Sequence, residues 1–151
     1  MRRTVRYLAT LVLLIGFVGV IMGAVFVGLG VAKQNQLVGA MRTEQVKLSI
    51  SEESSEPILI DNAVEAQAAG DLIRGHRRNI APTYQDLLGE GHFDPTNPEQ
   101  LTYAQALNME NYLYLAVVGF GLIQAVEATG VFMIITGIAL GGIGIVLFKL
   151  A

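Results

Sequence analysis

Residues 8–32 read LATLVLLIGFVGVIMGAVFVGLGVA, 25 residues with no charge and a single hydroxyl, Thr10. As a helix rising ~1.5 Å per residue this stretch reaches roughly 37 Å, enough to cross a hydrocarbon core of ~30 Å with some tilt. A second uncharged stretch, ATGVFMIITGIALGGIGIVLF, covers residues 128–148 and spans roughly 31 Å by the same rise. A soluble helix this long and this apolar would need protein on every face. The basic start at Arg2, Arg3 and Arg6 and the small residues Gly30-Val31-Ala32 also fit a secretory signal. Signal cores, however, run only about 7–15 apolar residues, so the first stretch reads as a retained anchor.

The expected fold class is therefore mostly α: a two-span transmembrane helical hairpin with a small extracytoplasmic module of helices and a short β element between the spans. The divisions follow from composition. Residues 1–7 form a basic cytoplasmic tail, 8–32 the first span, 33–127 the acidic module with its helix extensions, 128–148 the second span and 149–151 a cytoplasmic end. Charge divides along the same lines: residues 34–111 carry twelve acids against five bases, a net of −7, and the remainder is +4. Lys and Arg near the span ends favour the cytoplasmic side. Arg2, Arg3, Arg6 and Lys149 place both termini there, against Lys33, Arg42 and Lys47 near the outer end of the first span. The expected location is thus the plasma membrane, with the module outside. There is no cysteine, so neither a disulfide nor a thiolate metal site is available.

Along the module, Val46–Ser51 alternates apolar and polar and predicts a short strand. Ser51–Pro57 is an acidic turn, and Ile58–Ile60 is a brief apolar run able to pair with that strand or to seat the next helix. Asp61 reads as an N-cap with Glu65 in the first turn. The helix that follows would bury Val64, Ala68, Leu72 and Ile73 and end near His76-Arg77-Arg78, ahead of the break at Pro82. After a short turn over Tyr84–Leu88 and a loop to Pro95, Asn97-Pro98-Glu99 starts a helix that nothing clearly stops before Lys149. Ala104, Leu107, Leu115, Val118 and Leu122 fall at helical spacing and predict its packed face.

Glycine spacing carries the clearest functional hint. Gly16, Gly19 and Gly23 on the first span, and Gly137 and Gly141 on the second, are candidate helix-packing residues. In lipid there is little hydrophobic drive between helices, and close backbone approach at small residues does much of the joining. Counted inward from Arg6 and Lys149, the two sets overlap in depth, which suits an antiparallel pairing within one chain or between chains. Gln124 and Glu127 are polar residues expected at the outer interface, Glu127 level with Gly28, where a carboxylate still reaches water. Two helices, a glycine-rich first one and a lone carboxylate in the second are similar to an ATP synthase rotor subunit. The long acidic loop and the boundary depth of Glu127 depart from that pattern.

No catalytic, cofactor or metal pattern emerges from the remaining polar residues. His76 and His92 lack ligand spacing, Ser54 and Ser55 have no accompanying triad, and Gly89-Glu90-Gly91 does not sit between a strand and a helix as a nucleotide loop would. The basic trio 76–78 is too short for nucleic acid. Expected partners are the lipid bilayer and another membrane protein or a second copy. The expected role is a non-enzymatic accessory, scaffold or interaction subunit of the cell envelope. A small ion-conducting or transport oligomer and a membrane-bound enzyme are the alternatives.

The order of elements resembles an uncharacterised family of small bacterial two-span membrane proteins. The shared features are the start Met1-Arg2-Arg3 through Arg6-Tyr7-Leu8, the strand and turn at Val46–Glu53 and the alanine-rich Glu65–Gly70. Thr83-Tyr84-Gln85-Asp86-Leu87 and Val117-Val118-Gly119-Phe120-Gly121 complete the set. Some members carry the label of aromatic ring-opening dioxygenase subunit. Such an enzyme needs an iron site, for which this chain offers no ligand cluster. The resemblance implies the two-span topology and no mechanism.

Overall fold

The computed structural model describes residues 2–48 and 56–150. Helix α1 (Arg2–Glu44) and helix α4 (Pro98–Leu150) dominate it. Between them come β1 (Lys47–Leu48), β2 (Ile58–Leu59), α2 (Ala63–Ile80) and α3 (Tyr84–Leu88). The protein is mostly helical, and its two long helices are long and apolar enough to cross a membrane. Two compact units divide the chain: Met1–Asn35 with Leu122–Ala151, and Gln36–Gly121.

In the first unit the apolar side chains point outward. Leu8, Leu14, Phe17, Ile135 and Phe132 are more than half exposed, and only 11% of the most apolar window of each helix is buried within the chain. Two threonine hydroxyls on these helices bond to their own backbone. Thr10 Oγ1 donates to the Arg6 carbonyl at 2.9 Å and Thr129 Oγ1 to that of Ala125 at 2.8 Å, so neither needs water.

The second unit is built around Ile60, Ala66, Ala69, Ile73 and Leu113, with Met41, Val46 and Leu48 packed against them. Helix α1 ends at Glu44, where Gln45 takes a left-handed φ of 51° and turns the chain into β1. β1 pairs antiparallel with β2, Lys47 opposite Leu59 and Leu48 opposite Ile58. The Ile60 amide extends the pairing by donating to the Val46 carbonyl at 3.0 Å. Ser49–Ser51 of the expected strand, and the acidic serine turn as far as Ser55, lie outside the described residues.

Three local expectations need correction. The N-cap of α2 is Asn62, whose side chain accepts from the Glu65 amide at 3.0 Å, while Glu65 accepts from the Asp61 amide at 3.2 Å. This is a reciprocal box one residue later than expected. Asp61 is instead paired with Arg42 at 2.7 Å. The buried face of α2 is Ala66, Ala69, Gly70, Ile73 and Arg77, and Val64 is 79% exposed. Small residues are buried here because close helix approach leaves little room for side chains. On α4 the packed face is Tyr103, Glu110, Leu113 and Phe120, whereas Leu115, Val118 and Leu122 are exposed. An aliphatic count misses this face because two of its members carry polar groups.

Candidate functional site

Residues 13–30 of α1 run antiparallel to residues 127–144 of α4, backbone against backbone. A Cβ added to Gly16 would stand 2.6 Å from the Gly137 carbonyl oxygen, and one on Gly137 would stand 2.6 Å from that of Gly16. Gly23 and Gly130 are reciprocal in the same way, a Cβ on Gly130 meeting the Gly23 carbonyl oxygen at 2.7 Å. No side chain fits at these points. The hydrogen that replaces each Cβ faces a carbonyl across the seam, a Cα–H···O arrangement.

The buried members are Ala9, Gly16, Gly23 and Gly30 on α1 and Gly130, Gly137 and Gly144 on α4. Each series steps by seven. A seven-residue repeat keeps one seam facing its partner only if the helices wind left-handedly, with a crossing near 20°. Of the predicted packing residues, Gly16, Gly23 and Gly137 occupy the closest approaches. Gly19 lies beside the seam, a Cβ there standing 3.5 Å from Gly137 Cα. The Gly141 backbone packs on Gly16, but a Cβ on Gly141 itself would meet nothing within 4 Å. Gly30, Gly130 and Gly144 were missed by the four-residue pattern. The seven-residue step was their visible signal.

Gln124 is exposed, and Glu127 is half-buried. The Glu127 side chain folds over Gly30, where a Cβ would collide with it. With Gly16 set between Gly137 and Gly141, and Gly23 between Gly130 and Ile134, Glu127 stands level with Gly28, and its side chain reaches along the seam to Gly30. Its Oε1 is buried with no hydrogen-bond partner among the described residues, so this carboxylate is not simply held out to water.

The second unit holds two further features. One is an ionic cluster joining α2 to α4. Arg77 Nε donates to Glu110 Oε2 at 2.7 Å, Arg77 also donates to the Tyr103 hydroxyl, and Arg74 Nε lies 3.3 Å from Glu110 Oε1. Arg74 continues to Asp71 at 3.1 Å, which accepts from the Tyr114 hydroxyl at 2.7 Å. Both guanidiniums lie over rings, Arg77 on Tyr103 at 4.8 Å and Arg74 on Tyr114 at 4.6 Å. The Glu110 hydrogen bond raises the Arg77 pKa above its usual value despite burial. Two acids answer two bases, and the cluster positions helices rather than presenting a free charge.

The other is an apolar groove of about 610 Å³ between the end of α1 and the middle of α4. Leu37, Met41, Ile60, Tyr112, Leu115 and Ala116 are among its walls, and Glu44 brings an acidic side chain to the lining. Alanines at 40 and 116 on the facing helices leave this space unfilled. Exposed His76 and His92 stand apart from any such feature, and among the described residues no group of three His, Asp or Glu could hold a metal ion. No family model, curated protein or solved structure matches the chain.

Proposed function

We propose that this chain is a two-span protein of the plasma membrane, with both termini cytoplasmic and residues 33–127 outside, acting as a non-enzymatic accessory or interaction subunit of the cell envelope. The observation that carries this reading is the inverted distribution of side chains in the first unit. Glycine lines the inside of the helix pair, while leucine, isoleucine, valine and phenylalanine face outward. Water penalises that arrangement and lipid does not. The second unit supports a binding role, since its charged cluster is internally balanced and its groove is open. Gentle extraction from native membranes and identification of co-purifying proteins tests the role. A reproducible partner, lost when exposed Leu115 or Tyr112 is made charged, supports it. Extraction of the chain alone under every mild condition contradicts it.

A second reading, a small ion-conducting oligomer, draws on the buried, unpartnered Glu127 oxygen at the end of the glycine seam. A carboxylate at membrane depth is costly unless it serves something. Ion flux in reconstituted vesicles that is lost in Glu127→Gln favours this reading, and absence of flux at any protein density removes it.

A further inference from the structure

The end of the first unit at which α1 begins gathers positive charge with nothing to balance it. Arg3, Arg6, Tyr7 and Thr10 share one face of α1 and line a cleft of about 290 Å³. Bases in the first turn of a helix oppose the positive end of its dipole, which an acid placed there would offset. The first turn of α1 carries no acid. Gly144 of α4 packs on Leu13, so the antiparallel run brings Lys149, five residues on, to the level of Leu8. Glu127, the one acid in this unit, stands toward the opposite end of the seam. Among the described residues no ion pair engages Arg3 or Arg6.

Position along α1 identifies the anion that fits. Arg6 precedes the uncharged stretch at Leu8 by two residues and Arg3 by five, about 3 and 7.5 Å of helix rise. Both fall in the ~5–8 Å layer that headgroups add to each side of the hydrocarbon core, where lipid phosphates lie. Tyr7, 76% exposed, sits at the depth that tyrosine favours in membranes. The Thr10 hydroxyl has its proton committed to the Arg6 carbonyl, so the two exposed guanidiniums are the donors. Their planar forks match phosphate oxygens two at a time. A zwitterionic headgroup carries an ammonium that Arg3 and Lys149 would repel, and an acidic headgroup carries none.

We propose that Arg3 and Arg6, beside Tyr7, form a site for the headgroup phosphate of an acidic phospholipid. The proposal rests on the two-span reading. Each basic residue near an anionic surface strengthens binding about fivefold, from ~1 kcal/mol. Forked contacts add a preference for arginine over lysine that a diffuse positive field lacks.

The test uses the full chain carrying Leu11→Trp, a fluorophore that the native sequence lacks. Leu11 is exposed and lies one turn beyond Tyr7 on the same helix face. In mixed vesicles of phosphatidylcholine and phosphatidylglycerol, with bromine on the acyl chains of one or the other, quenching of the tryptophan gives the relative affinity for the two lipids. Phosphatidylglycerol should be preferred, and the preference should fall about fivefold in Arg3→Gln and again when Arg6→Gln is added, with helix content unchanged. It should also fall in the charge-conserving pair Arg3→Lys with Arg6→Lys. A preference that the lysine pair leaves unchanged reveals a diffuse field alone and overturns the site, as does equal quenching by both lipids. The two-span reading stands in either case. Loss of the preference on adding inorganic phosphate, with chloride at the same ionic strength as control, identifies a site for free phosphate and overturns the lipid site. Absence of quenching by either lipid overturns both the site and the two-span reading.

Discussion

Adding one methyl group to α1 separates the two faces of the helix cleanly. At Gly23 a Cβ would stand 2.7 Å from Ile134 Cγ1 and 2.9 Å from the Ile134 amide nitrogen, and would also crowd the Gly130 carbonyl. Backbone atoms cannot swing aside, so Gly23→Ala must push the helices apart by about 0.5–1 Å, which forfeits a quarter to a half of each contact across the seam. Overpacking of this kind costs ~1–3 kcal/mol. At Gly28, five residues on, a Cβ meets nothing within 4 Å, and Gly28→Ala should gain up to ~1 kcal/mol of helix propensity. The same substitution thus changes sign between the two positions. Reversible unfolding in mild detergent, followed by circular dichroism against increasing sodium dodecyl sulfate, reads the difference. Gly137→Ala should behave like Gly23→Ala and Gly142→Ala like Gly28→Ala, because a Cβ clashes at Gly137 and meets open space at Gly142. Equal stabilities for Gly23→Ala and Gly28→Ala would refute the seam.

Arg77→Leu strands the Glu110 carboxylate, 6% exposed, and should destabilise the second unit toward the lower end of ~3–5 kcal/mol, since Arg74 remains within reach; Arg77→Leu with Glu110→Leu should recover most of the loss by thermal denaturation. Gln45→Gly relieves the left-handed φ of 51°, and a gain of ~0.5–1 kcal/mol is expected after the extra freedom glycine gives the unfolded chain; unchanged stability would argue against that turn. The Asp94 carboxyl, which accepts from the Thr96 hydroxyl and amide, is held below its usual range by those bonds. Its folded value is lowered, so its contribution to the 89–97 loop is full above the unfolded value of ~3.9 and fades as pH falls through the folded one. A carboxyl titration followed by NMR should show a midpoint below ~3.9 that returns toward it in Thr96→Ala.

The long helices were legible because absence of charge over 25 residues leaves few alternatives, and Pro98 after Asn97 announced the start of α4. The seam was legible in kind but not in register. The four-residue pairs 19/23 and 137/141 draw the eye, whereas the backbones meet on the steps 16, 23, 30 and 130, 137, 144. Four-residue spacing belongs to right-handed crossings and seven-residue spacing to left-handed ones. The Arg77–Glu110 pair had no local signature. Its members are 33 residues apart, and each resembled an ordinary solvated charge. For the same reason Tyr103, fully buried, was invisible to a pattern that counted aliphatic residues. The groove arises where alanines face each other across helices far apart in sequence, and only tertiary structure brings Ala40 and Ala116 to one cavity.

The absence of cysteine in the chain makes membrane residence directly measurable by single-cysteine labelling in intact cells and in opened membranes. With a maleimide that cannot cross a bilayer, His92→Cys should label in intact cells. Phe17→Cys and Phe132→Cys should stay unlabelled in both preparations until detergent is added. Ready labelling of Phe17→Cys and Phe132→Cys in buffer without any amphiphile would contradict the account.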